Sequence, residues 1–150
     1  MPFVRIMLGP AAPGDTAAVG QCVHSALVTA LGVPEQDHFQ VISRHSEQEA
    51  VYDPSYLGVD RTDGIVFVQI TMAVGRTVEL KRALYREIVA RLATGCGVRP
   101  EDVFISLVET PYENWSFGNG EMQFADRVPP HLAGLGADRT DRTDRAGGAS

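Results

Sequence analysis

The sequence predicts an α/β (α+β) protein: two duplicated β-α-β units forming a four-stranded mixed sheet with two helices on one face. Two observations predict it. Strand-like and helix-like segments alternate along the chain, each helix lying between two strands. A motif then recurs between each helix and the strand after it. Gly32-Val33-Pro34-Glu35-Gln36-Asp37-His38-Phe39 lines up with Gly97-Val98-Arg99-Pro100-Glu101-Asp102-Val103-Phe104, both reading G-V-x-x-x-D-x-F. Two parallel-stranded units with right-handed crossovers, about 2–43 and 64–108, follow from that duplication.

Each element has a local cause. Residues 2–8 (PFVRIML) alternate loosely and carry β-branched and aromatic side chains, which marks a strand. Two prolines and two glycines make 9–14 a loop. Asp15 or Thr16 is placed to cap a helix whose Val19, Cys22, Val23, Ala26, Leu27 and Ala30 recur at helical spacing, with Gly32 as its stop. His38–Ser43 is the second strand. Gly64–Ala73 (GIVFVQITMA) is apolar enough for a central strand. Thr77 caps a helix through Leu92, with Leu80, Leu84, Ile88 and Leu92 every fourth residue. Val103–Val108 closes the second unit. The segment Arg44–Asp63, rich in charge and turn residues, links the units over the surface.

From Arg127 the composition changes to Pro, Gly and a DRTDRTDR run that cannot build a core, so 127–150 is expected to be a disordered tail behind a domain of 1–126. With both helices on one face, the other face of an apolar sheet is left uncovered, which points to oligomerisation through it.

Bulk properties exclude several function classes. One domain with a real core fits 150 residues. A net charge of −6 without a basic cluster argues against nucleic acid as partner. No apolar run is long enough to cross a bilayer, so no membrane role is expected. The start MPFVRIMLGP lacks the charged and apolar regions of a secretory signal, so a cytoplasmic location is expected. Cys22 and Cys96 read as separate buried thiols, and no His/Cys cluster has metal-ligand spacing, so no metal is expected.

Three features carry possible chemistry. Pro2 follows the initiator Met1, whose removal would leave a secondary amine; an apolar pocket and a nearby cation would both lower its pKa toward working pH. A chance Met-Pro start is the plainer explanation. Arg76, between a central strand and a helix start, can meet a carboxylate with paired donors, or be a surface arginine. Trp115-Ser116-Phe117-Gly118-Asn119-Gly120 sets large rings beside glycines, as in a tight loop delivering a pocket wall, a core plug or a subunit contact.

Together, Pro2, the stretch AVGRTVELKRALY (73–85) and the ending ENWSFGNGEMQFA (113–125) resemble the tautomerase superfamily, above all its fused two-unit members related to malonate semialdehyde decarboxylase and the 4-oxalocrotonate tautomerase-like proteins. The resemblance covers roughly 2–126. It implies a β-α-β fold, a homotrimer, no cofactor and a site around the terminal proline. Pro2 matches the catalytic proline, Asp37 the acidic residue of the decarboxylase, and Trp115, Phe117 and Phe124 its aromatic wall. Asp37 also has a turn-forming explanation, since Asp102 stands at the same place in the second unit. The decarboxylase has two arginines before its second helix, whereas this chain offers Arg76 alone.

The resulting expectation is a keto-enol isomerase in which Pro2 transfers a proton on a small 2-oxo or enol carboxylate, Arg76 holds the charge that develops, and the three rings keep the pocket dry. The alternatives are a decarboxylase or hydratase using Asp37 and protonated Pro2 in the same pocket, and a non-catalytic trimeric binding or scaffold protein.

Overall fold

The structure is a computed structural model that describes residues 1–125, 127–130 and 132–133. Six principal elements follow the predicted order: β1 (Pro2–Leu8), α1 (Thr16–Leu31), β2 (Phe39–Arg44), β3 (Val66–Ala73), α2 (Val78–Cys96) and β4 (Val103–Thr110). The sheet order is β2-β1-β3-β4. β1 and β3 pair antiparallel at the centre, and each pairs parallel with its own outer strand. That is the arrangement two β-α-β units adopt when their first strands meet back to back.

Helix boundaries are set by side-chain chemistry. Asp15 caps α1 by accepting from the Ala18 N–H at 2.9 Å, and Thr77 caps α2 by accepting from Leu80 N–H. Both helices end on a left-handed glycine, Gly32 (φ 66°) and Gly97 (φ 73°). Helix α2 runs four residues past Leu92, where Thr94 returns its hydroxyl to the Ala90 carbonyl at 2.9 Å instead of breaking the turn.

One face of the sheet and both helices share a single core. Val4, Ile6 and Leu8 of β1 and Val66, Val68, Ile70 and Met72 of β3 are buried against Val19, Val23 and Leu27 of α1 and Leu84, Ile88 and Leu92 of α2. The alternate strand residues line the opposite face, where Phe39, Val41, Phe104 and Val108 remain 38–52% exposed. The linker contributes a short 3₁₀ turn at Tyr56–Gly58. Arg44 and Arg61 are both used on loop carbonyls there: Arg44 donates to Gly9, Ala12 and Gly14, and Arg61 to Asp53, Tyr56 and Val59.

Of the tail expected at 127–150, residues 131 and 134–150 lie outside the described residues. Leu132 is buried, and its carbonyl accepts from the Tyr112 hydroxyl at 3.4 Å, so the chain is still packed on the domain there. The two cysteines differ from expectation. They are partly exposed rather than buried, and helix packing sets their sulfurs 3.7 Å apart.

Candidate active site

The site gathers at the start of β1, where the chain terminus is held by elements distant in sequence. Pro2 is buried and sits opposite Met72 of β3. Met1, 5% exposed, points its amine at the Asp37 carboxylate, 2.8 Å away. Asp37 reaches this position from the turn before β2, which its own N–H closes on the Pro34 carbonyl at 3.0 Å. It is therefore both a turn residue and the partner of the terminal amine.

Two opposing effects act on that amine. Burial pushes its pKa down, because the charged form loses its hydration. Asp37 pulls it up through a hydrogen bond and its charge, and the Arg76 guanidinium adds a smaller downward push. Burial is the largest contribution, so the net direction is down. The amine is thus shifted toward its neutral, proton-accepting form.

Arg76 is buried at 7% exposure, in the short connection from β3 to the Thr77 cap of α2. Its Nη1 donates to the Ala73 carbonyl, which fixes the guanidinium at the strand end. Burial lowers its pKa, against Tyr112, Glu109 and Asp37, which favour the charge. Glu109 is itself held by Lys81 at 2.7 Å, and its Oε1 is buried without a partner among the described residues. The site thus holds a desolvated cation whose nearest carboxylates lie on β4 and in the turn before β2.

Of the three rings expected as an aromatic wall, Trp115 and Phe117 line one cavity. Pro2, Phe3, Phe39, Trp115, Ser116 and Phe117 line a cavity of about 260 Å³. Trp115 and Phe117 stack with ring centres 5.7 Å apart at 5°, and Phe39 and Phe124 meet Phe117 at 6.3 and 5.0 Å. Phe124 thus supports Phe117 rather than lining the cavity itself. The loop is held by Gln123, whose side chain accepts from Phe117 N–H and donates to the Gly118 carbonyl. The indole Nε1 of Trp115 is buried with no partner among the described residues.

Phe3, Phe39, Tyr112 and Glu109 were not singled out from the sequence. The register that pairs Phe3 with Phe39 was the one available signal, through the G-V-x-x-x-D-x-F motif that ends on Phe39. His24 is buried; its Nε2 lies 2.9 Å from the Glu35 carbonyl oxygen, and its ring stacks on His38. Neither histidine lines the aromatic cavity.

The second unit has no amine at the equivalent place. Phe67 pairs with Phe104 as Phe3 pairs with Phe39, so Ile65 occupies the place of Met1. Ile65 lies within the chain and offers no amine. Asp102, the counterpart of Asp37, instead accepts from the Thr62 N–H at 2.6 Å and the Thr62 hydroxyl at 2.7 Å. The same aspartate that ties down backbone in one unit faces an ionisable group in the other. Among the described residues, no three or more His, Cys, Asp or Glu side chains are grouped to hold a metal ion, and no helix is long and apolar enough to cross a membrane.

The chain belongs to the tautomerase family, whose model, described as a tautomerase enzyme, matches residues 37–118. It is 42% identical over 127 residues to Probable tautomerase YusQ of Bacillus subtilis (strain 168), covering 84% of this chain and all of that protein. It is 37% identical to Probable tautomerase YrdN of the same organism, over 67% of this chain and 78% of YrdN. Among solved structures it resembles malonate semialdehyde decarboxylase, with a TM-score of 0.74 at 30% identity over 83% of this chain and 96% of the other. A fused 4-OT symmetric trimer shares the fold, with a TM-score of 0.65 at 20% identity over 79% of this chain and 94% of the other. The protein is a tautomerase-superfamily enzyme with the four-stranded β-α-β fold.

Proposed function

We propose that this enzyme is a cofactor-independent tautomerase in which Met1 is removed and the secondary amine of Pro2 moves a proton on a small 2-oxo or enol acid. The observation that carries this reading is the setting of the chain terminus: an amine whose pKa burial lowers despite Asp37, beside a buried guanidinium. Removing Met1 shifts the terminal nitrogen by one residue, to a position lining the aromatic cavity. Neutral Pro2 then takes a proton from the carbon next to a carbonyl, or from an enol oxygen, and returns it elsewhere on the conjugated system. Arg76 holds the substrate carboxylate or the oxygen where negative charge develops. Trp115 and Phe117, the latter backed by Phe124, exclude water and so favour the neutral amine.

One observation favours a second chemistry. Asp37 lies within hydrogen-bond reach of the Met1 amine, one residue from Pro2, as suits a decarboxylase or hydratase in which Asp37 activates water and protonated Pro2 acts as the acid. The likeness to malonate semialdehyde decarboxylase points the same way. Comparing ketonisation of phenylenolpyruvate with turnover of malonate semialdehyde and an acetylenic acid separates the two. Ketonisation is expected to dominate. Asp37→Asn is expected to lower it less than about tenfold, while hydration or decarboxylation, losing its acid–base partner, falls by roughly 10² or more. Asp37 raises the pKa of the Met1 amine, so its removal should likewise lower that of the Pro2 amine exposed beside it, and move the acid-side limb of the pH–rate profile to lower pH. Dominant decarboxylation, abolished in Asp37→Asn, would replace the first reading by the second.

We further propose a cytoplasmic location and assembly of the domain as a homotrimer, which the open sheet face supports. Phe39 belongs both to that face and to the aromatic cavity, so assembly and site are coupled. Sedimentation at roughly three times the 16.2 kDa chain mass is expected, and a monomer at assay concentration would exclude it.

A further inference from the structure

Cys22 of α1 and Cys96, the last residue of α2, are separated by 74 positions, yet packing of the two helices brings their sulfurs to 3.7 Å. Both are partly exposed, and the Cys22 thiol donates to the Arg91 carbonyl at 3.4 Å. The surroundings are cut to admit the pair. A β-carbon at Gly95, a residue inside α2 where glycine weakens the helix, would lie 2.8 Å from Cys22 Sγ. A β-carbon at Gly14 would lie 3.0 Å from Cys96 Cβ. Small residues thus stand on both sides of the two thiols. Closing 3.7 Å to the roughly 2.05 Å of a disulfide requires less than 2 Å of side-chain movement.

We propose that Cys22 and Cys96 form a reversible disulfide that staples α1 to α2, with a low-molecular-weight disulfide as oxidant. One cysteine thiolate attacks the external disulfide, forming a mixed disulfide and releasing one small thiol. The second cysteine attacks the protein sulfur of that mixed disulfide and releases the other. The net change converts two protein thiols and one external disulfide into one internal disulfide and two small thiols. Burial and the neighbouring Cys22 push the Cys96 thiol up to about 11, so exchange is slow at neutral pH and accelerates as pH rises. The staple lies at the C-terminal end of α2. That end is about 27 Å along the helix from Val78, which follows Arg76 by two residues, at 1.5 Å per residue, so stability should change and catalysis should not.

The test incubates the full chain with oxidised glutathione, quenches with an alkylating agent and measures intact mass and thermal midpoint. The expected product takes up no alkylating agent and weighs about 2 Da less than the reduced chain. Its peptide digest links Cys22 to Cys96, and its midpoint is higher by roughly 5–15 °C, reversed by dithiothreitol. Cys22→Ser and Cys96→Ser should each abolish the rise, and Gly95→Ala should slow the cross-link by wedging the sulfurs apart. Stable glutathione adducts on both cysteines, thiols left unreacted, or a cross-link only between chains would each overturn the proposal. None of these results bears on Pro2.

Discussion

Pro2→Ala is expected to lower kcat/KM for ketonisation by roughly 10²–10⁴, the range that a positioned general base contributes. Alanine at position 2 still exposes an amine once Met1 is removed, but a primary one on a rotatable bond, without the ring that fixes the nitrogen at the head of β1. The variant should fold as the parent does, because residue 2 begins a strand whose buried partners Val4, Ile6 and Leu8 are untouched. The loss should fall on kcat more than on KM, since the amine acts on the proton in flight rather than on the carboxylate. Steady-state kinetics of both proteins across pH check this, and equal rates would remove Pro2 from the mechanism.

The second large effect is expected at Arg76. Arg76→Ala should lower kcat/KM by roughly 10²–10³, as loss of a donor to developing negative charge does. Arg76→Lys should restore little, because a single ammonium cannot supply the paired, planar donors of a guanidinium. Stability should move the other way or not at all. Burial disfavours the Arg76 charge in the folded protein, and the carboxylates nearby offset that only in part. Replacing a poorly compensated buried cation by an apolar side chain relieves a desolvation cost. Urea unfolding of the variant alongside its kinetics therefore separates a binding role from a structural one. Equal losses of stability and activity would make Arg76 a structural residue.

What could be read in the sequence was local or repeated. The Asp15 and Thr77 caps and the Gly32 stop work through bonds spanning a few residues, so they are visible in a single window. The alternation of β1 fixed both its ends. Helix α2 was expected to run through Leu92, the last residue of its apolar stripe. The helix continues because Thr94 bonds back to Ala90 and Gly95 makes room for Cys22. The contact of Cys22 with Cys96 depends on how two helices pack, which periodicity does not encode.

The candidate site divides the same way. Pro2, Arg76, Asp37 and the Trp115–Phe117 pair carry recognisable motifs. Phe3 and Phe39 look like ordinary strand residues until the pairing of β1 with β2 places them at one cavity. Leu132 lies in a segment whose composition signals no core, and only its packing reveals a role. Asp37 drew two explanations from the repeat, and both describe it: the turn is the means by which its carboxylate reaches the terminus.

The central claim is that the nitrogen of residue 2 is a free amine, neutral in the pH range where the enzyme works. Its most direct test is an NMR titration of the intact protein labelled with ¹⁵N-proline, following the Pro2 nitrogen. A single titration with its midpoint below about 8, the ordinary value for a chain-terminal amine, is the result this account predicts. A midpoint at or above that value, or an amide-like resonance that does not titrate because Met1 is still attached, would contradict it.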